Sequence, residues 1–61
     1  MEYLNFNCLL IWLTPRGRRN QRWIKTTAIA ADLALDLAER ILRKDKRVNI
    51  VRITYGEARQ A

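Results

Sequence analysis

Histidine is missing from this chain of 61 residues, which also has a single cysteine, a single proline and two glycines. Histidine is the side chain that most often moves protons near neutral pH, so its absence argues against the commonest acid–base catalysis. One cysteine without histidine cannot form a Cys/His zinc site or an internal disulfide. A glycine-rich phosphate loop and a nucleophile motif are also lacking. We therefore predict a protein that is not an enzyme and that needs no metal, other cofactor or small-molecule substrate.

Long hydrophobic runs and leader features are equally scarce. The longest apolar run, Cys8 to Leu13, has six residues, whereas a membrane helix needs roughly 20. The N-terminus has neither a basic segment nor a small-residue cleavage site, and a lone cysteine suits a reducing compartment. We therefore expect no signal peptide, no membrane partner and a cytoplasmic location.

Positive charge and apolar side chains are what the chain has in abundance. Lysine and arginine number 12 against 6 acidic residues, the net charge is +6, and 49% of the residues are hydrophobic. This composition disfavours disorder, and the length allows a single domain spanning residues 1–61. A domain of this size buries only about 60% of the surface that its unfolded chain exposes. We therefore expect stability to depend on a dense core or on a partner.

Residues 3–14 predict a long strand. Its even positions are apolar throughout, which indicates one buried face: Leu4, Phe6, Cys8, Leu10 and Trp12. Its odd positions turn apolar towards the end, at Leu9, Ile11 and Leu13. A strand with two apolar faces is usually central in its sheet. Pro15 and Gly17 then predict a turn over residues 15–21.

Residues 22–27 predict a second strand, because aromatic and β-branched side chains favour β-structure. The two strands should form a hairpin, and we expect Trp12 to lie opposite Ile24. This register leaves Trp23 on the opposite face from Ile24.

Residues 28–44 predict a helix whose apolar arc is centred on alanines, so that it can lie close to a sheet. A threonine at the end of the preceding strand should cap it. Residues 48–55 predict a third strand, and residues 56–61 predict a frayed tail that begins at a glycine. A right-handed crossover from the second strand to the third gives an antiparallel sheet of order 2-1-3 with the helix on one face. The predicted fold is therefore α+β, in the order ββαβ.

The sheet face opposite the helix is the first candidate site, because nothing in the predicted fold covers it. Four apolar side chains define it: Leu9, Ile11, Leu13 and Trp23. An exposed apolar patch marks an interface, and a homodimer is the simplest form of one. The alternative is a monomer in which twist and side-chain bulk hide most of the patch.

The basic hairpin is the second candidate site. Five cationic side chains fall within ten residues: Arg16, Arg18, Arg19, Arg22 and Lys25. Arginine forks suit a phosphate backbone, an acidic protein surface suits them equally, and a solvated turn is the third interpretation. Asn20 and Gln21 would contact base edges if the loop entered a groove. Four more cations near the predicted helix end should share the same sheet edge: Arg43, Lys44, Lys46 and Arg47. Helix-dipole complementarity alone also accounts for these four.

Other chemistry-bearing residues have structural explanations. Cys8 lies on the apolar face of its strand, where a free cysteine behaves as a small hydrophobic side chain. Asp32 and Asp36 lie one helical turn apart, with Arg40 nearby, which indicates a ridge of ion pairs rather than a catalytic pair. A membrane-surface role is less well supported than binding to nucleic acid or to a protein, because the polar face of the helix mixes both signs of charge.

The overall plan resembles small accessory proteins of phages and mobile elements, including some anti-CRISPR proteins. The resemblance lies in the hairpin from Leu4 to Thr27, the alanine-rich helix from Ala28 to Lys44 and the final strand from Val48 to Tyr55, on a short basic chain. It implies binding to a host machine that handles nucleic acid, in the host cell cytoplasm, and inhibition of that machine. The leading hypothesis is a basic regulator or inhibitor that contacts nucleic acid, or a complex that contains it, through the hairpin. The alternative is a protein–protein module that uses the uncovered face.

Overall fold

The computed structural model describes residues 2–61 of the chain. Four elements follow one another: β1 (Leu4–Leu13), β2 (Arg19–Ala28), α1 (Ala31–Arg43) and β3 (Arg52–Gln60). The sheet order is β2-β1-β3, and β1 is antiparallel to both neighbours. The predicted α+β fold with ββαβ order is confirmed, with the doubly apolar first strand at the centre. No helix in the described residues is long and apolar enough to cross a membrane.

The hairpin between β1 and β2 is tighter than the sequence analysis predicted. Pro15 and Gly17 occupy a short turn in which the Gly17 N–H donates to the Thr14 carbonyl at 2.9 Å, and Gly17 has a φ of 81°. This geometry matches the common hairpin loop in which a turn is followed by a left-handed glycine. The predicted turn over residues 15–21 is therefore too long, and the strand predicted at 22–27 begins at Arg19.

The early start of β2 also corrects the predicted register. Ile24 lies opposite Cys8, and Trp12 lies opposite Asn20. The shift is even, so every side chain keeps its predicted face. Polar residues at the start of β2 are compatible with a strand because β2 is an edge strand whose side chains reach water.

The core lies between the even face of β1 and α1. Phe6, Cys8, Leu10 and Trp12 are all buried there. Ala34 and Ala38 are fully buried at the contact, since their small side chains let the helix approach the sheet closely. The Cys8 Sγ lies 3.4 Å from the Thr26 Oγ1 within this core, where Cys8 fills the position of a small apolar side chain.

The helix is shorter than the predicted span of 28–44, and it starts without a threonine cap. Ala28 is still part of β2, and Ala30 occupies the N-cap without a side-chain hydrogen bond. The Thr26 Oγ1 instead donates to the Ala34 carbonyl at 3.3 Å, while the Thr27 Oγ1 donates to the Asn5 Oδ1 at 3.0 Å. Both threonines therefore belong to the sheet, and Thr26 also links the sheet to the helix by a hydrogen bond.

The third strand lies later in the chain than predicted. Residues 48–51 form a connection, in which the Val51 N–H donates to the Leu13 carbonyl at 2.8 Å, and β3 runs from Arg52 to Gln60. The predicted strand at 48–55 and the predicted frayed tail at 56–61 are both corrected by this result. Pairing continues to the end of β3, where Gln60 lies opposite Phe6.

Gly56 explains the error, because it lies within β3 at an irregularity in the pairing with β1. A Cβ at this position would lie 2.9 Å from both Cδ2 and Cγ of Leu9. Glycine is therefore required here for a close approach between strands rather than for chain termination.

Candidate functional site

The odd positions of β1 form the middle of the sheet face opposite α1, which we call the open face. Leu9, Ile11 and Leu13 are half-buried there by their neighbours, and Trp23 of β2 is 46% exposed beside Leu9. No element within residues 2–61 covers this face. The predicted apolar patch is thus assembled on one surface, although only its tryptophan projects strongly.

Cations border the apolar strip of the open face at two levels. Leu13 lies between Arg19 of β2 and Arg52 of β3. The spacing of paired strands places the Cα atoms of these two arginines about 10 Å apart. The sequence analysis included Arg19 in the basic hairpin but did not single out Arg52, because Arg52 is far from the hairpin in sequence and is not part of a cluster of cations.

A second cationic level crosses the open face about 20 Å farther along β1, since each strand residue adds about 3.3 Å. Here Asn7 lies between Lys25 of β2 and Arg59 of β3. Arg59 was also missed, because it falls in the segment predicted to fray. The alternation within β3 would have placed it once pairing past Gly56 was known.

Arg59 lies against the exposed tryptophan of the open face. Its guanidinium carbon is 5.6 Å from the centroid of the Trp23 ring, within the range of a cation–π contact. Its Nε also lies 2.9 Å from the Glu57 Oε1. The Trp23 ring and the Arg59 guanidinium therefore contact each other across β1 and link the two edge strands on the open face.

The hairpin tip carries Arg16 and Arg18, both exposed. The Arg18 backbone is fixed by the turn, since its N–H donates to the Thr14 Oγ1 at 3.2 Å and its carbonyl accepts from the Thr14 N–H at 2.9 Å. The turn thus holds the arginine backbone in place and leaves both side chains in solvent.

Arg22 differs from the other arginines of the basic hairpin, because its even position directs it to the helix side of the sheet. Its Nη1 lies 3.3 Å from the Asp45 Oδ2, and its guanidinium carbon is 5.8 Å from the centroid of the Trp12 ring. Arg22 and Asp45 line a cavity of about 540 Å³ between the hairpin and the connection after α1. The two predicted basic clusters do share one end of the molecule, as this contact shows.

The cluster after α1 is partly neutralised within the chain. The Arg43 Nε lies 2.8 Å from the Glu39 Oε2, and the Arg47 Nε lies 3.4 Å from the Asp45 Oδ1. The Arg47 backbone N–H is the main reason that the pKa of Asp45 is lowered, and contacts with Arg22 and Arg47 side chains act in the same direction. Asp45 therefore stays ionised between two arginines.

Tyr55 of β3 forms hydrogen bonds with two carboxylates of α1. Its hydroxyl donates to the Glu39 Oε1 and lies 3.0 Å from the Asp36 Oδ1. The hydrogen bond from Tyr55, and then that from Arg43, lowers the pKa of Glu39. The same two carboxylates, Glu39 foremost, raise the pKa of Tyr55 well above its usual value. The contact links β3 to the helix and occupies Asp36, so the predicted Asp36–Arg40 ion pair does not form.

Four cations thus have a carboxylate partner, and the other eight of the twelve make no ion pair within the described part of the chain. The eight are Arg16, Arg18, Arg19, Lys25, Arg40, Lys44, Lys46 and Arg52. Five of the eight lie on the hairpin tip, on β2 or across the sheet from Arg19, and the other three lie in or after α1. The described residues contain no group of three or more Cys, Asp or Glu side chains that could hold a metal ion.

Comparison of the chain with protein-family models, with curated proteins and with solved structures finds no match. The resemblance to phage accessory proteins therefore stays a prediction from topology and composition.

Proposed function

We propose that this protein is a non-enzymatic, cytoplasmic module that binds nucleic acid, or a complex containing it, through the hairpin tip and the open face. The observation that carries the proposal is the set of unpaired cations on one continuous surface: Arg16, Arg18, Arg19, Lys25 and Arg52. A surface of this kind gains affinity by releasing the counterions of a phosphate backbone. Its role would be to regulate or inhibit a nucleic-acid machine, as the resemblance to phage accessory proteins implies.

The arrangement of the two cationic levels supports an extended ligand. They lie about 20 Å apart along β1, and the strip between them contains Trp23 and Leu9. Bases stack on aromatic rings and guanidinium planes while cations follow the backbone. Trp23 and Arg59, which contact each other on this face, supply both kinds of plane, and we therefore expect single-stranded nucleic acid to bind the open face better than a duplex does.

The test measures binding to a labelled single strand of mixed sequence, and to its duplex, by fluorescence anisotropy at several salt concentrations. The double variant Arg18→Ala, Arg19→Ala removes two unpaired cations. We expect weaker binding to the single strand, and a salt slope smaller by about 1.4 if both arginines contact phosphates.

A matched control changes the net charge equally but removes cations that already have carboxylate partners. Arg43→Ala with Arg47→Ala should leave the salt slope close to that of the wild type, because both side chains lie off the open face and each already has a carboxylate beside it, at Glu39 or Asp45. An equal loss in both double variants would attribute binding to net charge alone. Unchanged affinity after loss of Arg18 and Arg19 would refute the proposed contact surface.

A protein–protein module is the alternative, and the 46% exposure of Trp23 beside three half-buried aliphatic side chains favours it. Ile11→Asp places a charge at the centre of this strip. If a stoichiometric protein partner from the native host survives nuclease treatment and is lost with Ile11→Asp, the alternative holds. If that partner disappears with nuclease, nucleic acid mediates the contact.

A further inference from the structure

One side of α1 carries an apolar row that the monomer leaves in water. Leu33, Leu37 and Ile41 follow one another at intervals of four residues and expose 43%, 37% and 49% of their surfaces. We call them the helix stripe. It lies on the flank of the helix away from Tyr55, and it borders a groove of about 260 Å³ that continues to Tyr3 and Ile29. The apolar arc of the helix is wider than one packing surface needs, but the sequence pattern does not show which part of the arc the sheet covers, so the sequence analysis did not single out this row.

A charged row runs beside the helix stripe and changes sign along the helix. Asp32 and Asp36 lie in the first half, and Arg40 and Lys44 lie in the second. None of the four forms an ion pair within residues 2–61, although Asp36 accepts a hydrogen bond from Tyr55. Both signs of charge thus stand next to the same exposed apolar row.

The charge pattern of one copy is complementary to that of a second copy whose helix runs antiparallel to the first. If a two-fold axis passes beside Leu37, Leu33 of one copy meets Ile41 of the other. Asp36 then faces Arg40 of the second copy, and Asp32 faces Lys44 of the second copy. Antiparallel helices also bring opposite dipole ends together, and such a contact between identical patches is the geometry of a two-fold dimer.

The surface area of the subunit is consistent with an unpartnered face. The chain exposes 4808 Å², whereas a folded monomer of 7.2 kDa is expected to expose roughly 4100 Å². The excess of about 700 Å² is close to the roughly 800 Å² that each partner contributes to a standard interface, and the helix stripe and the open face both contribute to it.

From the helix stripe and its self-complementary charges, we propose that a second copy of this chain packs antiparallel on α1 to form a two-fold dimer. The open face lies on the other side of the sheet. The dimer therefore leaves both copies of the proposed nucleic-acid surface free, and it does not depend on the nucleic-acid proposal.

Sedimentation of the full chain over a range of concentrations tests the dimer. Leu37→Glu brings two carboxylates together at the axis, so the dimer should weaken on the order of a hundredfold or more. Trp23→Glu places the same charge at a similarly exposed site on the open face and should leave the dimer unchanged. Far-UV circular dichroism checks that each variant is folded.

A charge swap provides a second test that does not disturb the apolar row. Asp32→Lys alone, or Lys44→Asp alone, puts like charges across the interface and should weaken the dimer several-fold. The double variant should restore it. These two residues are twelve positions apart, roughly 18 Å along one helix, so restoration can arise only between copies.

Three results would overturn the proposal. The first is a wild-type chain that stays monomeric at millimolar concentration. The second is a dimer that Trp23→Glu breaks and Leu37→Glu spares, because the open face would then be the interface. The third is a double charge swap that fails to restore the dimer after each single change has weakened it.

Discussion

The two faces of the sheet come from the same three strands, yet one is buried under the helix and the other is exposed to water. The face beneath α1 carries Phe6, Leu10 and Trp12, which are buried, and its hydrogen bonds tie sheet to helix. The open face keeps an apolar strip but borders it with cations at both ends. The comparison shows that period-two alternation can produce two useful surfaces when the central strand is apolar on both sides. One stabilises the fold, and the other remains available for a ligand.

Truncation of one leucine on each face of β1 gives the largest expected contrast. Leu10 is fully buried under the helix, so Leu10→Ala should lower the free energy of unfolding by about 2–5 kcal/mol. Leu13→Ala, on the open face, should cost about 1 kcal/mol, because less apolar surface leaves water there. Urea unfolding followed by circular dichroism measures both values. Equal losses would mean that the open face is as important to stability as the core.

The two glycines are required for different reasons: Gly56 for a close contact between strands, and Gly17 for a left-handed backbone conformation. Gly56→Ala should destabilise the fold by about 1–3 kcal/mol through overpacking against Leu9. Gly17→Ala meets no atom within 4 Å, but it requires a left-handed backbone and should cost about 1 kcal/mol.

Leu9→Ala distinguishes the two effects. It removes the side chain that Gly56→Ala would strike, so it should offset part of that loss, and the coupling should exceed about 0.5 kcal/mol in a double-mutant cycle. The same change combined with Gly17→Ala should be additive. Additivity in both cycles would show that the close approach at Gly56 is not what fixes β3.

The smallest effect concerns the hydrogen bonds that join β3 to the helix on the covered face. Tyr55 has a raised pKa, so its contribution to stability is complete below the unfolded pKa of about 10 and is lost as the pH rises through the higher folded value. Glu39 has a lowered pKa, so its contribution is complete above the unfolded value of about 4.3 and is lost as the pH falls through the folded value.

Tyr55→Phe should therefore cost about 1 kcal/mol at neutral pH. It should also remove the loss of stability in alkali and reduce the loss in acid that Glu39 causes. Urea midpoints measured across the pH range test these expectations. Tyr3→Phe is the control, because the Tyr3 hydroxyl makes no hydrogen bond in the part of the chain that the structure describes. A Tyr55→Phe profile that parallels the wild type would show that the Tyr55–Glu39 contact is absent in solution.

The alternation of β1 was enough to predict the sheet order and the face of each β1 side chain. The helix was predictable from its alanine-centred arc, but its start was not, because alanine favours a helix by intrinsic propensity and Ala28 nevertheless ends β2. The position of β3 could not be predicted from the sequence. A glycine at position 56 is equally compatible with the end of a strand and with a close contact inside one. Its role depends on Leu9, far away in the chain.

The apolar strip of the candidate site was predictable from the alternation of β1, but its cations were predictable only in the hairpin. Arg16, Arg18 and Arg19 lie within four residues of one another, so their cluster can be recognised from the sequence alone. Arg52 and Arg59 join them only through the pairing of β3 with β1. Arg22 was assigned to the cluster by proximity in sequence, yet strand alternation sends it to Asp45 on the other face.

The central position of β1 also orders events during synthesis. β1 precedes both of its partner strands in the chain, and the second of them ends at Gln60, opposite Phe6. Until β3 is available, α1 can pack on the hairpin, but one edge of β1 is unpaired and Gly56 has not reached Leu9. Pairing between strands so distant in sequence is slow to form. The sheet is therefore complete only when the last of its strands is added, and until then the edge of β1 that β3 covers is open to pairing with other strands.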